Sequence, residues 1–321
     1  MSHSPQEPAS GPIRIRLGTR DSPLAMAQAH ETRARLCAAH GWDESEVEIV
    51  PVVASGDKVL DRPLAEIGGK ALWTKELDAW LGEGRIDAAV HSAKDVETIR
   101  PDAFHFAAFL PRADRRDCLV GADSIAAIPP GAVVGTSAPR RASQLLNLRP
   151  DCTVVTFRGN VATRLGKLEA GEADVTFLAA AGLERLGQSA AGHPLGIDEW
   201  IPAAAQGVIA IECRADAPEA TAMLAALDDA PTRAELEAER ALLAALGGTC
   251  HSPVAVLCEA SGEAAGDTLA LRAALFSPDG GERVEGTARF APGDHAAVTA
   301  LAGDLLGRAS GAIKEHFRAG E

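Results

Sequence analysis

Tyrosine is absent from this 321-residue chain, and all aromatic residues together make up 4% of it. Any core must therefore be built from Ala, Val, Leu and Ile. No apolar run approaches the roughly 20 residues needed to span a bilayer, which argues against a membrane-spanning helix. Six cysteines are present, but no two form a CxxC pair, and they are scattered along the chain. That spacing argues against a zinc knuckle and against a disulfide framework. Positive charge is also short, with 31 Lys and Arg against 45 Asp and Glu and a net charge of −14. Nucleic acid is thereby disfavoured as the main partner. The first eleven residues, MSHSPQEPASG, lack the basic start and apolar stretch of a signal peptide. They read as a disordered tail, with the cytoplasm as the default location.

What is present is an alternation of strand and helix patterns. "PIRIRLGT" reads as a strand, followed by a helix from Ser22 as cap and Pro23 in the first turn. "EVEIVPVVA", the helix "GGKALWTKELDAWLGEG" and the strands "RIDAAVHS" and "FHFAAFL" follow. A second unit repeats the order of elements: "AVVGTS" leads into "APRRASQLLNL", capped by Ser137 or Thr136, and "TVVTFRGN" precedes "VATRLGKLEAG". Such alternation predicts a mainly parallel sheet in each unit. Beyond Pro231 a long helix ends in glycines, and three strand-like segments without intervening helices predict an antiparallel sheet. "HAAVTALAGDLLGRASGAIKEHF" reads as one closing amphipathic helix.

Against the acidic average, the stretch from Gly131 to Lys167 carries Arg140, Arg141, Arg149, Arg158, Arg164 and Lys167 with Asp151 as its only acid. Arg140 and Arg141 fall in the first turn of a predicted helix, where the dipole disfavours cations. A small anion bound there would reconcile them with that position. Arg20 and Ser22 stand at another strand-to-helix junction, and Lys70 follows two glycines. In "HSAKDVET", His91, Lys94 and Asp95 lie just past a strand, where open α/β sheets bind ligands; an ordinary solvated turn would read the same way. Cys250, in "LGGTCHSPVAV", is flanked by glycines and a proline. Locally it is either a reactive or an inert thiol, and His251 beside it does not form a dyad with it on a strand.

Taken together, "GTRDSPLAMAQ", "GDKVLDRPLAEIGGKALWTKEL", "DAAVHSAKDV", "GTSAPRRASQLL", "FRGNVATRLGKL", "AAAGLERLG", "PAAAQGVIAIECR" and "ERALLAALGGTCHSPVA" occur in the order found in one family. The chain resembles hydroxymethylbilane synthase, also called porphobilinogen deaminase, over about Ile13 to Ala255. The resemblance implies two similar α/β domains like the halves of a type II periplasmic binding protein, plus a C-terminal α+β domain with a three-stranded antiparallel sheet. The expected limits are 12–112 with about 208–228, then 113–207, then 229–321. It implies a transferase that condenses four porphobilinogens head to tail onto a covalent dipyrromethane, releases ammonia and hydrolyses off the linear tetrapyrrole. Cys250 matches the attachment cysteine and Asp95 the catalytic carboxylate. Arg20, Ser22, Lys70, Lys94, Arg140, Arg141, Arg158, Arg164 and Arg185 match positions that bind cofactor or substrate. The family implies a monomer and no metal.

The chain departs from the family pattern at several points. Thr249 replaces a glycine before the cysteine, Ala138-Pro139 replaces Ser-Leu, and Glu97 stands where proline is common. An alanine-rich "AAAQG" replaces a more glycine-rich hinge. Two rival readings are a non-catalytic anion-binding protein on the same fold, which would not need both Asp95 and Cys250, and a thiol hydrolase, for which no base for Cys250 is apparent.

Overall fold

The computed structural model describes residues 12–53, 74–249, 251–261 and 268–317. Its first sheet comprises β1 (Ile15–Arg20), β2 (Val47–Val52), β3 (Ala88–Ser92), β4 (Phe104–Phe109) and β10 (Ile209–Arg214) in the order β2-β1-β3-β10-β4. The second comprises β5 (Asp117–Val120), β6 (Val133–Gly135), β7 (Thr153–Val155), β8 (Val175–Ala179) and β9 (His193–Pro194) in the order β7-β6-β8-β5-β9. The two α/β units thus share one plan.

Both sheets are mixed: in each, four strands share one direction, as a mainly parallel sheet requires, and one strand runs against its two neighbours. β1 runs parallel to β2 and β3, but β10 runs antiparallel to β3 and β4. In the second sheet β6 is parallel to β7 and β8, while β5 is antiparallel to β8 and β9. β5 and β10 are the first strands laid down after the chain crosses from one sheet to the other. No helical crossover within the same sheet dictates their direction, so the βαβ rule does not apply to them.

The helices start largely where the local signals place them. Ser22 Oγ accepts the Ala25 amide and opens α1 (Pro23–His40). Of the second predicted helix, α2 (Lys75–Gly82) is described, and its Leu77 and Leu81 are buried. Asn160 caps α4 (Val161–Glu169) through the Thr163 amide, after α3 (Pro139–Leu148). At α3 the cap differs from expectation. Ala138 is the N-cap and offers no side chain, while the Ser137 hydroxyl donates to the Phe157 carbonyl and Thr136 Oγ1 accepts the Ala138 amide. α5 (Ala180–Arg185) and α6 (Pro218–Leu224) complete the two units.

The third unit carries β11 (Val254–Ser261), β12 (Thr268–Phe276) and β13 (Arg283–Phe290) as the expected antiparallel sheet. Preceding it, α7 (Ala230–Leu246) ends at Gly247, whose φ of 65° is the left-handed conformation that favours glycine. The closing helix is in fact two, α8 (His295–Arg308) and α9 (Gly311–Lys314). Ala309 is extended, and Ser310 Oγ accepts the Ile313 amide, so a new N-cap restarts the helix. Leu242, Val256, Leu271 and Leu305 share an aliphatic core, as the shortage of aromatics requires.

Both segments that cross between the first two sheets are pinned by α7. Arg112 donates to both carboxylate oxygens of Glu239, at 3.0 Å each, and to Glu235 at 3.2 Å. On the returning segment the Ala205 amide donates to Glu239 at 2.6 Å, and the Cys258 amide on β11 donates to it at 3.1 Å. One fully buried carboxylate therefore fastens both crossings to the third unit.

Candidate active site

β3 is a continuous buried run, as a central strand covered on both faces should be. It ends at Ser92, whose hydroxyl pairs with the Gln28 amide at 2.8 Å. A single turn of 3-10 helix over 93–95 follows, fastened by the Ala93 amide to the Val208 carbonyl at 3.0 Å. Lys94 and Asp95 are thereby delivered to the carboxyl end of the strand, at the sheet edge where ligands bind. His91 stays inside the strand, buried, with Nε2 3.5 Å from Glu212. The chain beyond Asp95 is anchored by Arg100, which donates to both oxygens of Glu212 (2.8 and 2.7 Å), to Asp78 (2.5 Å) and to Glu97 (2.7 Å). Glu97 thus takes part in the ion-pair network that holds this turn.

Arg140 and Arg141 resolve their conflict with the helix dipole through an internal anion. Arg140 donates to one oxygen of Asp117 at 2.7 Å and Arg141 to the other at 2.7 Å. Trp200 Nε1 and Gln206 Nε2 donate to the same carboxylate at 2.7 and 2.9 Å. Asp117 is fully buried. Burial alone would raise its carboxyl, but the two guanidiniums hold it far below the usual carboxylate range. Its stabilising charge is present above the ordinary aspartate range and lost only in strong acid. Asp117→Asn should therefore cost about 3–5 kcal/mol at neutral pH, because two buried guanidiniums lose their counter-charge. Urea unfolding at pH 7 measures this directly, and unchanged stability would show that the pair needs no counter-ion.

A cavity of about 210 Å³ opens over this cluster, with Lys94, Asp95, Arg140, Arg141, Arg164 and Gln206 among its walls. Lys94 Nζ donates to Gln206 Oε1 at 3.2 Å. Its ammonium is pushed down to about 8, chiefly by burial, with Arg141 and Arg140 adding to the effect and Asp95 and Asp117 opposing it. Arg164 on α4 donates Nε to the Gly159 carbonyl at 3.0 Å and is pushed down to about 10, again chiefly by burial, with Arg141 and Arg158 near it. Among the described residues, neither Lys94 nor Arg164 has a carboxylate within salt-bridge distance. Half-buried cations that outnumber the acids near them suit a cleft that receives an anion. Asp95 is the acid on the same wall, 3.9 Å from Arg20.

The structure thus brings Lys94, Asp95, Arg140, Arg141 and Arg164 together, with Arg20 beside Asp95. Arg158 is buried and lies close enough to Arg164 to act on its charge. Ser22 serves as the cap of α1, and Arg185 pairs with Glu31 at 3.1 Å. Lys70 and Cys250 lie outside the described residues. On the flanks of Cys250, the Thr249 amide donates to Ser252 Oγ (3.0 Å) and Thr249 Oγ1 accepts the His251 amide (3.2 Å), so the threonine hydroxyl does what a glycine there would not.

Sequence reasoning missed Asp117, Gln206 and Arg240, all of which touch this region. An aspartate opening the apolar strand "DCLV" was a signal for the first. Arg240 on α7 donates to the Glu97 and Thr98 carbonyls at 2.7 and 2.9 Å, and nothing in its helical context announces that.

Comparison with known proteins adds sequence relatives. A family model described as porphobilinogen deaminase, dipyromethane cofactor binding domain, matches residues 15–222, and one described as porphobilinogen deaminase, C-terminal domain, matches 234–303. Porphobilinogen deaminase of Sphingopyxis alaskensis is 54% identical over 308 residues, covering 94% of this chain and 96% of that protein. The Paracoccus denitrificans porphobilinogen deaminase is 49% identical, covering 92% and 94%. Among solved structures, immunogenic lipoprotein A of Vibrio vulnificus aligns with a TM-score of 0.41 at 12% identity, over 68% of this chain and 96% of that one.

Proposed function

The chain belongs to the porphobilinogen deaminase family, and we propose that its cleft works with Asp95 as the catalytic carboxylate and Cys250 as the attachment point of dipyrromethane. The enzyme is a hydroxymethylbilane synthase, a transferase that joins four porphobilinogens head to tail with release of ammonia and then hydrolyses the tetrapyrrole free. Arg20, Ser22, Lys70, Lys94, Arg140, Arg141, Arg158, Arg164 and Arg185 are the proposed cofactor- and substrate-binding residues. We further take the protein to be a cytoplasmic monomer that binds no nucleic acid. No described helix is long and apolar enough to cross a membrane. The proposed domain limits are 12–112 with about 208–228, then 113–207, then 229–321.

The observation that carries this reading is the charge arrangement of the cleft. Lys94 and Arg164 are half-buried with no carboxylate in salt-bridge contact among the described residues, while Asp95 stands on the same wall. Pyrroles bearing acetate and propionate groups bring the missing negative charge, so the donor set fits a bound dipyrromethane. When attached, that group supplies the primer from which the chain of pyrroles is extended. Lys94 and Arg164 hold ring carboxylates, and the Arg140–Arg141–Asp117 cluster keeps two further guanidiniums fixed in the wall. Asp95 accepts from pyrrole N–H groups, stabilises positive charge that develops when ammonia leaves, and relays the protons. Arg20 faces Asp95 at 3.9 Å.

Peptide mass spectrometry tests the attachment. The Cys250 peptide from cells that make porphobilinogen should carry a two-pyrrole adduct. A bare thiol together with no porphobilinogen consumption would sink the assignment.

A further inference from the structure

Gln206 sits on the segment that returns from the second sheet to β10, and it is almost completely buried. Its amide makes three hydrogen bonds. Oε1 accepts from Lys94 Nζ at 3.2 Å, while Nε2 donates to the Arg115 carbonyl at 2.8 Å and to Asp117 Oδ1 at 2.9 Å. The orientation is unambiguous, since a flipped amide would lose all three bonds. The backbone is fastened as well, with its carbonyl accepting Arg112 Nε at 3.0 Å. Immediately before it, Ala205 has a φ of 62°, the only left-handed conformation at a non-glycine residue among the described residues. Alanine is strained there, and the Glu239 contact to its amide holds it. A locally costly backbone, pinned from outside, aims this one side chain.

We propose that Gln206 is a positioning residue, which holds the Lys94 ammonium in the cleft as a cation by tying it to the Asp117–arginine cluster across the junction of the two sheets. This rests on the reading of Lys94 as a working cation of the site. Lys94 otherwise faces Arg141 and Arg140, which disfavour its charge, and Asp95 and Asp117, which favour it. Among the described residues Gln206 is its one hydrogen-bond acceptor. An acceptor on the charged form of a buried lysine favours that form, so its removal lets the proton leave at lower pH. A neutral amide suits the position because its other end must donate to Asp117, which a carboxylate cannot do.

The test titrates Lys94 directly in holoenzyme carrying ¹³C-labelled lysine, through the Cε–Hε signals, with Lys94→Arg to assign the resonance. The pH profile of kcat/KM is measured beside it. Gln206→Met should move the Lys94 titration and the alkaline limb of kcat/KM acidward together, by about one unit. Gln206→Glu, of the same shape, should move the titration the other way. A merely structural role would not produce shifts of opposite sign. If Gln206→Met fails to fold, the direction found with Gln206→Glu still decides. An unmoved Lys94 titration in a folded variant overturns the proposal. A moved titration with an unmoved kcat/KM limb keeps Gln206 as the partner of Lys94 and removes Lys94 from the working site.

Discussion

Serine in place of Cys250 should give a folded protein that makes no hydroxymethylbilane. The substitution removes one atom's worth of chemistry. A thiol ionises close enough to neutrality for a useful thiolate fraction, whereas a serine hydroxyl becomes a nucleophile only beside a general base. Burial pushes the neighbouring His251 imidazole down, which makes it a weaker base for that role. Without an anchor, each round of coupling would also lose the intramolecular advantage of a tethered chain. The expected result has two parts: no pyrrole adduct on the intact protein by mass spectrometry, and porphobilinogen consumption at the background rate. Thermal unfolding should show the third unit intact, because its core of Leu242, Val256, Leu271 and Leu305 is untouched. A serine variant that keeps an adduct or turnover would move the attachment elsewhere.

Asp95→Asn is expected to lower kcat by roughly 10²–10⁴-fold, the usual cost of losing a positioned acid–base group. Asparagine preserves size, and its carbonyl still accepts a hydrogen bond from a pyrrole N–H. What goes is the charge that faces the developing cation and the capacity to relay a proton. KM should change less than kcat, since the ring carboxylates are held by the cations of the wall. There is a second, signed consequence. Asp95 favours the proton on Lys94, so its neutralisation should move the alkaline limb of any residual activity acidward. Residual activity near that of the unaltered enzyme would take Asp95 out of the mechanism.

These expectations share a physical basis in the way charge is distributed. The cleft gathers cations that burial makes costly, and among the described residues it gives Lys94 and Arg164 no carboxylate in salt-bridge contact. The same protein spends carboxylates freely a short distance away. Glu239 fastens both crossing segments, Glu212 holds Arg100, and Asp117 holds the arginine pair. The contrast between fully paired junctions and an under-paired cleft separates structural from functional charge here.

The sequence by itself determined most helices and strands, because the signals that set them act over a few residues. Ser22 before Pro23, Asn160 before α4 and glycine after α7 each satisfy backbone groups within one turn. It also placed Lys94 and Asp95 just past a strand, where the structure has them in the turn that follows β3. The closing helix and the α3 cap were misread for the same local reason. Ser310 competes as a cap inside an otherwise helical pattern, and Ser137 spends its hydroxyl on a carbonyl twenty residues away. Only the tertiary structure decided the sense of β5 and β10, the partner of Arg140 and Arg141, and the bond from Gln206 to Lys94. Asp117 and Arg140 are 23 residues apart, and Lys94 and Gln206 are 112 apart. Periodicity shows which face of an element is buried, but not which charged group from another element will meet it there. That is set by how the sheets and the third unit close on one another, and it turned a row of arginines into a wall with its own internal anion.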